Sequence, residues 1–194
     1  MTLTLPQLAL IQGRIICLHV PDGLHDDGQA LIEALVEFVQ SDGKSVGVGG
    51  LATPRQGVLE LFGRQTSQQW LADAAGISLE DAQKLISGFG VPVDEDLSAN
   101  AATPRCLLGI AATIVSKPDV LIYRTDGLDP RGRIAVHQYA AAKTRELCLV
   151  HLSSPTVFGD GSAAPRHCPP NADCIAAVSD CADNLLRPNG PALR

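Results

Sequence analysis

Aromatic residues are scarce in this chain of 194 residues: one Trp, two Tyr and four Phe, 4% in all, with a single Met. A core built from it must therefore be aliphatic. Charge is also sparse at 19%, and acidic residues outnumber basic ones to give a net charge of −6 and a pI near 5.2. Such a balance argues against nucleic acid or an anionic membrane surface as a partner. No apolar run approaches the roughly 18 residues that a membrane-spanning helix needs, so no direct membrane insertion is expected. The opening Met-Thr-Leu-Thr-Leu-Pro carries no basic stretch, and the expectation is a cytoplasmic protein without a secretory signal. Close Cys pairs are missing as well. Cys168, Cys174 and Cys181 follow His167 at gaps of five and six residues, wider than zinc sites use, so no metal site is expected. Cys17 and Cys148 sit inside apolar stretches and read as small core residues, and Cys106 opens an apolar run.

What the sequence does have is hydrophobicity, 45% of residues with a mean hydropathy of +0.13, which excludes a disordered chain. Three near-continuous aliphatic runs, 13–20, 119–123 and 147–152, read as strands buried on both faces of a parallel sheet. A weaker strand is expected over 45–48, another over 174–178, and a short one over 3–10 broken by Pro6. Helical spacing of apolar residues runs over about 27–39, 104–115 and 132–143. Thr66–Ala75, closed by Gly76, and a segment to about Phe89 with a capped start at Ser78-Leu79-Glu80-Asp81 complete the helices. Asp94–Glu95–Asp96 reads as a solvated loop, and 157–172 as irregular. The pattern is α/β: one domain over 1–194 with a mainly parallel sheet, flanking helices and a small helical subdomain at about 66–90.

This order of elements resembles the ATP-binding subunits of ABC transporters. Lys117-Pro118-Asp119-Val120-Leu121-Ile122-Tyr123 followed by Arg124-Thr125-Asp126-Gly127-Leu128-Asp129-Pro130 is similar to the family's Walker B strand and D-loop, with the Gly-Leu-Asp-Pro ending intact. Gly13 to Gly23 is similar to the strand leading into the phosphate loop, Trp70 to Val91 to the helical subdomain, and Asp173 to Cys181 to a late strand and turn. The likeness runs collinearly over about 13–182, shortened between Gly50 and Thr66. It implies a P-loop NTPase-like fold, a dimer interface at Gly127, Leu128, Asp129 and Pro130, and a place beside an active ATP-binding subunit, a membrane permease or a second copy of this chain. Through a permease the chain would sit peripherally at the inner membrane face.

The residues that carry nucleotide chemistry depart from the family. The residual phosphate-loop positions are Pro21, Asp22, Gly23, Asp26 and Asp27, so the Lys position falls on Asp26 and the Ser/Thr position on Asp27. At an effective dielectric of about 20, a unit-charge contact near 4 Å is worth roughly 4 kcal/mol, and here attraction becomes repulsion. Arg124-Thr125 stands where an Asp for metal and a Glu for water are needed. The signature candidates, 97–101 or 100–104, lack the glycine pair. The nearest switch-type histidine, His151, lies inside its strand, and either Gln56 or Gln65 could stand for the metal-contacting glutamine. ATP and Mg²⁺ are therefore not expected as cofactors, and no catalytic residue is assigned. The implied function is a pseudo-ATPase serving as structural or regulatory partner. The alternatives are a weak ATPase working through a composite site with a catalytic partner, or an α/β interaction domain of unrelated function. Beside these stand plainer readings. His19 and His151 can be satisfied core histidines, Asp26-Asp27 a favourable helix start, Gly47–Gly50 a turn, and Gly127–Pro130 a turn into a helix.

Overall fold

The structure, a computed structural model, describes residues 8, 10–19, 28–54, 64–143, 145–153 and 173–175. Outside them lie Pro21, Asp22, Gly23, Asp26, Asp27, Gln56, the loop 157–172 with His167 and Cys168, Cys181, and nearly all of the 3–10 segment. Five strands, β1 (Ile15–His19), β2 (Val46–Gly49), β3 (Val120–Arg124), β4 (Cys148–Ser153) and β5 (Asp173–Ile175), form one sheet in the order β2-β3-β4-β1-β5. Every pairing is parallel. The three aliphatic runs thus lie side by side at the centre, as their composition requires.

Side chains alternate across the sheet. Ile16, Leu18, Val120, Ile122, Val150 and Leu152 meet Leu31, Leu35 and Val39 of α1 (Gly28–Ser41) on one face. Ile15, Leu121, Tyr123 and Leu149 meet α4 (Ala102–Val115) and α5 (Pro130–Ala141) on the other. A strand covered on both faces cannot use polar alternation, which is why these runs are continuous in sequence. The α2 (Ser67–Ala75) and α3 (Leu79–Ser87) helices follow the hydroxyl caps. Thr66 accepts from Gln69 N and Ser78 from Asp81 N, while Gly76 takes a left-handed conformation with φ of 64°. Their buried residues Leu71, Ala72 and Ala82 join the same core as Leu107 and Leu108 of α4.

The 94–96 loop is solvent-exposed at Asp94 and Glu95, as expected, and is also tied into the fold. Asn100, 8% exposed, donates to the carbonyls of Asp94 and Asp96 and to Ser67 Oγ and accepts from Asp94 N, while Asp96 caps a 3₁₀ turn at Leu97–Ala99 and pairs with Arg64 at 3.1 Å. Gly47 lies in strand β2 as the strand reading of 45–48 expects, and Gly49 ends that strand, so the turn reading of Gly47–Gly50 is corrected. Their missing side chains let α4 approach: a Cβ at Gly49 would come 2.8 Å from Ile110 Cγ1.

Burial pushes the Cys106 thiol from 9.0 up to about 12 and the Cys148 thiol from 9.0 up to about 11. Both groups become charged on losing a proton, and both folded values lie above the unfolded one. Between pH 9 and these values the unfolded chain releases protons that the folded chain keeps. Stability is therefore complete below about pH 9 and falls by about 1.4 kcal/mol per group for each further pH unit. The urea midpoint should drop steeply between about pH 8 and about pH 10.5. An unchanged midpoint would contradict the burial of these thiols.

Candidate functional site

The chain leaves β1 for β2 at one edge and leaves β4 for β5 at the other, although β1 and β4 are neighbours. Open parallel sheets with such a reversal hold ligands outside the carboxyl ends of their strands. The described structure at that end is the exit of β3 through Arg124, Thr125, Asp126 and Gly127, together with the exit of β2 through Gly49, Gly50 and Leu51.

Beneath this end lies a row of polar side chains that register alone produces. Cys17 of β1 and Tyr123 of β3 both align with His151 of β4, so all three point to the α5 side. Cys17 Sγ lies 3.5 Å from His151 Nδ1, and Thr125 Oγ1 lies 3.0 Å from His151 Nε2. His137 of α5 closes the row, its Nδ1 3.1 Å from the Tyr123 hydroxyl and its ring edge-to-face with His151 at 4.6 Å. Burial first, and the nearby Cys17 and Cys106 second, hold the Tyr123 hydroxyl well above the ordinary tyrosine range. The sequence shows no Cys/His arrangement for a nucleophile, yet the fold brings Cys17 and His151 together. With Cys17 0% and His151 1% exposed, no substrate reaches that pair. His151 is a satisfied core histidine that fixes the turn after β3.

At the exits of β2 and β3 opens a crevice of about 330 Å³. Gln29 and Ile32 of α1, Val48 and Leu51 at the β2 exit, and Leu128 form much of its wall. Arg124 and Asp126 bring opposite charges to it, Arg124 Nε donating to Asp126 Oδ2 with side chains 30% and 33% exposed. Cys106 of α4 also borders the crevice, and its thiol donates to the Arg124 carbonyl at 3.7 Å. None of Gln29, Ile32, Val48, Leu51 or Asp126 stands out in sequence as a site residue. The only available signal was the unusual exposure of apolar side chains at 48 and 51, and a sequence does not carry exposure.

A magnesium ion needs oxygen ligands. At the end of β3 position 124 presents a guanidinium, the Thr125 hydroxyl is turned to His151, and the Asp126 carboxylate is held by Arg124. These residues do not fit the metal–nucleotide pair that the resemblance implies. Among the described residues no three His, Cys, Asp or Glu side chains gather as a metal site.

The other expected positions have local duties. Gly127 adopts φ of 73°, Leu128 is 4% exposed, Asp129 caps α5 by accepting from Gly132 N at 2.8 Å, and Pro130 is the first residue of that helix. Asn100 is committed to the 94–96 loop, and Ala101 caps α4 without a side-chain bond. The Gln65 carbonyl accepts from Leu97 N at 3.1 Å, beside the 3₁₀ turn.

No protein family matches the chain, and neither does any curated protein. Solved structures do. A metal-chelate type ABC transporter in an inward-facing conformation superposes with a TM-score of 0.54 at 11% identity, over 79% of this chain and 75% of that one. CbiO1 from Clostridium perfringens, part of the ABC transporter complex CbiONQ, superposes with a TM-score of 0.50 at 14% identity, over 84% and 80%. The chain shares its fold with these two proteins.

Proposed function

We propose that this chain is a non-catalytic ABC-type subunit, a structural or regulatory partner in a transporter complex. The observation that carries the reading is Arg124. The resemblance puts a metal-binding carboxylate there, and the chain puts a cation that is ion-paired to Asp126 beside a Thr125 hydroxyl committed to His151. Asp26 and Asp27, at the Lys and Ser/Thr positions of the phosphate loop, add repulsion toward polyphosphate. The likeness to a metal-chelate type ABC transporter and to CbiO1 supports a place in an assembly with a permease, an active ATPase subunit or a second copy. No helix among the described residues is long and apolar enough to cross a membrane, so a permease would supply the membrane attachment at the inner face. In that assembly Gly127, Leu128, Asp129 and Pro130 form the contact turn, with Leu128 anchoring it inward and Gly127, Asp129 and Pro130 exposed.

Calorimetric titration with Mg-ATP should show no saturable heat at millimolar nucleotide, whereas micromolar affinity would overturn the reading. Asp26→Lys combined with Asp27→Ser removes the repulsion and should recover weak nucleotide binding without turnover, because Arg124 and Thr125 still supply no metal ligand. Turnover in that variant would show that Walker B lies elsewhere. Affinity capture from the host should return a permease or an ABC ATPase, and recovery of neither would remove the transporter role.

A further inference from the structure

The geometry points to the crevice beside Arg124 as a metal-free binding site for a small apolar α-amino acid. This goes beyond the subunit reading and does not depend on it. The ion pair between Arg124 and Asp126 is part-exposed, and pairs of that kind add little to stability. Both of its members line the crevice.

Charge arrangement selects the ligand class. One guanidinium and one carboxylate stand side by side, joined through Arg124 Nε and Asp126 Oδ2. Among the described residues the Nη groups of Arg124 and the second oxygen of Asp126 have no partner. A lone anion drawn to Arg124 would meet Asp126, and a lone cation drawn to Asp126 would meet Arg124. A zwitterion meets both with the right sign: its carboxylate takes Arg124 Nη donors and its ammonium donates to Asp126. Polyphosphates face the same carboxylate and are disfavoured.

The walls select the side chain. Ile32, Val48, Leu51 and Leu128 surround the charges, with Val48 39% and Leu51 50% exposed. Apolar side chains left that open at a cavity wall gain from covering by an apolar ligand. At about 330 Å³ the crevice sits at the lower end of the roughly 300–1,000 Å³ of ligand pockets and has room for a single amino acid.

The test is calorimetric titration of the whole chain with L-leucine, isocaproate (leucine without its ammonium), isoamylamine (leucine without its carboxylate) and inorganic phosphate. Saturable leucine binding is expected, with each single-charge analogue weaker by about tenfold or more. Arg124→Leu and Val48→Trp should abolish the leucine signal. Both positions are part-exposed, so circular dichroism should show the fold kept; if Arg124→Leu unfolds, Val48→Trp still decides. The proposal is overturned by leucine failing to saturate at millimolar concentration, by an analogue or phosphate binding as well as leucine, or by leucine heat surviving in a folded variant. The Mg-ATP titration is separate, so failure here leaves the subunit reading standing, and the reverse also holds.

Discussion

Leu121→Asp should leave the chain without a cooperative thermal transition. Leu121 is fully buried at the centre of β3, aligned with Gly47 of β2 and Leu149 of β4, and faces the α4–α5 side of the core. Removing the side chain forfeits about 1.5–3 kcal/mol of apolar burial. An unpaired carboxylate in its place costs about 3–5 kcal/mol more. The sum rivals the entire stability of an ordinary domain, about 5–15 kcal/mol. Leu121→Met, similar in volume, should cost under about 1.5 kcal/mol. The same acidic change at Ile134, 56% exposed on α5, should leave the melting curve almost unmoved. Circular dichroism melts of the three variants check the series. A parent-like melt for Leu121→Asp would remove β3 from the sheet centre, and with it the placement of Arg124.

Elements that rest on local chemistry were legible in the sequence; their tertiary use was not. The strands β1, β3 and β4 announce themselves because burial on both faces demands unbroken aliphatic runs. The Ser78 cap and the left-handed Gly76 closing α2 are equally local, since each satisfies backbone groups within one turn, while the caps at Thr66 and Asp129 emerge with the structure. Strand β2 is half glycine, so its sequence admits both a weak strand and a turn until α4 is laid across it. Register escapes composition altogether: nothing in Cys17, Tyr123 and His151 separately indicates that parallel pairing sets them in one row. The crevice joins Gln29 and Val48 to Arg124 and Asp126, across 95 residues from Gln29 to Arg124. Only its odd member, Arg124 in place of a carboxylate, could be seen beforehand, and only through the resemblance.

Gly109→Ala tests the close approach that shapes that crevice, and its sign separates two opposing effects. Alanine is the better helix former by about 1 kcal/mol, so propensity alone would stabilise α4. The position forbids it. A Cβ at Gly109 would overlap the carbonyl oxygen of Gly50 and lie 2.8 Å from its carbonyl carbon, both backbone atoms with no rotamer to yield. The segment cannot simply withdraw, because Ala52 N donates to the Arg105 carbonyl at 2.9 Å, Arg105 Nε donates to the Ala52 carbonyl at 2.7 Å, and Thr113 Oγ1 donates to the Val48 carbonyl at 3.2 Å. Overpacking of this kind costs about 1–3 kcal/mol where neighbours can adjust, and here the stitching on both sides resists adjustment. Each kcal/mol lost should lower Tm by about 2–4 °C in a chain of this size. Gly49 to Leu51 form the crevice wall, so the same push should also weaken leucine binding in protein that remains folded. A higher Tm in Gly109→Ala would mean that α4 stands further from the β2 exit than described, and that the crevice is wider and less selective than its charges require.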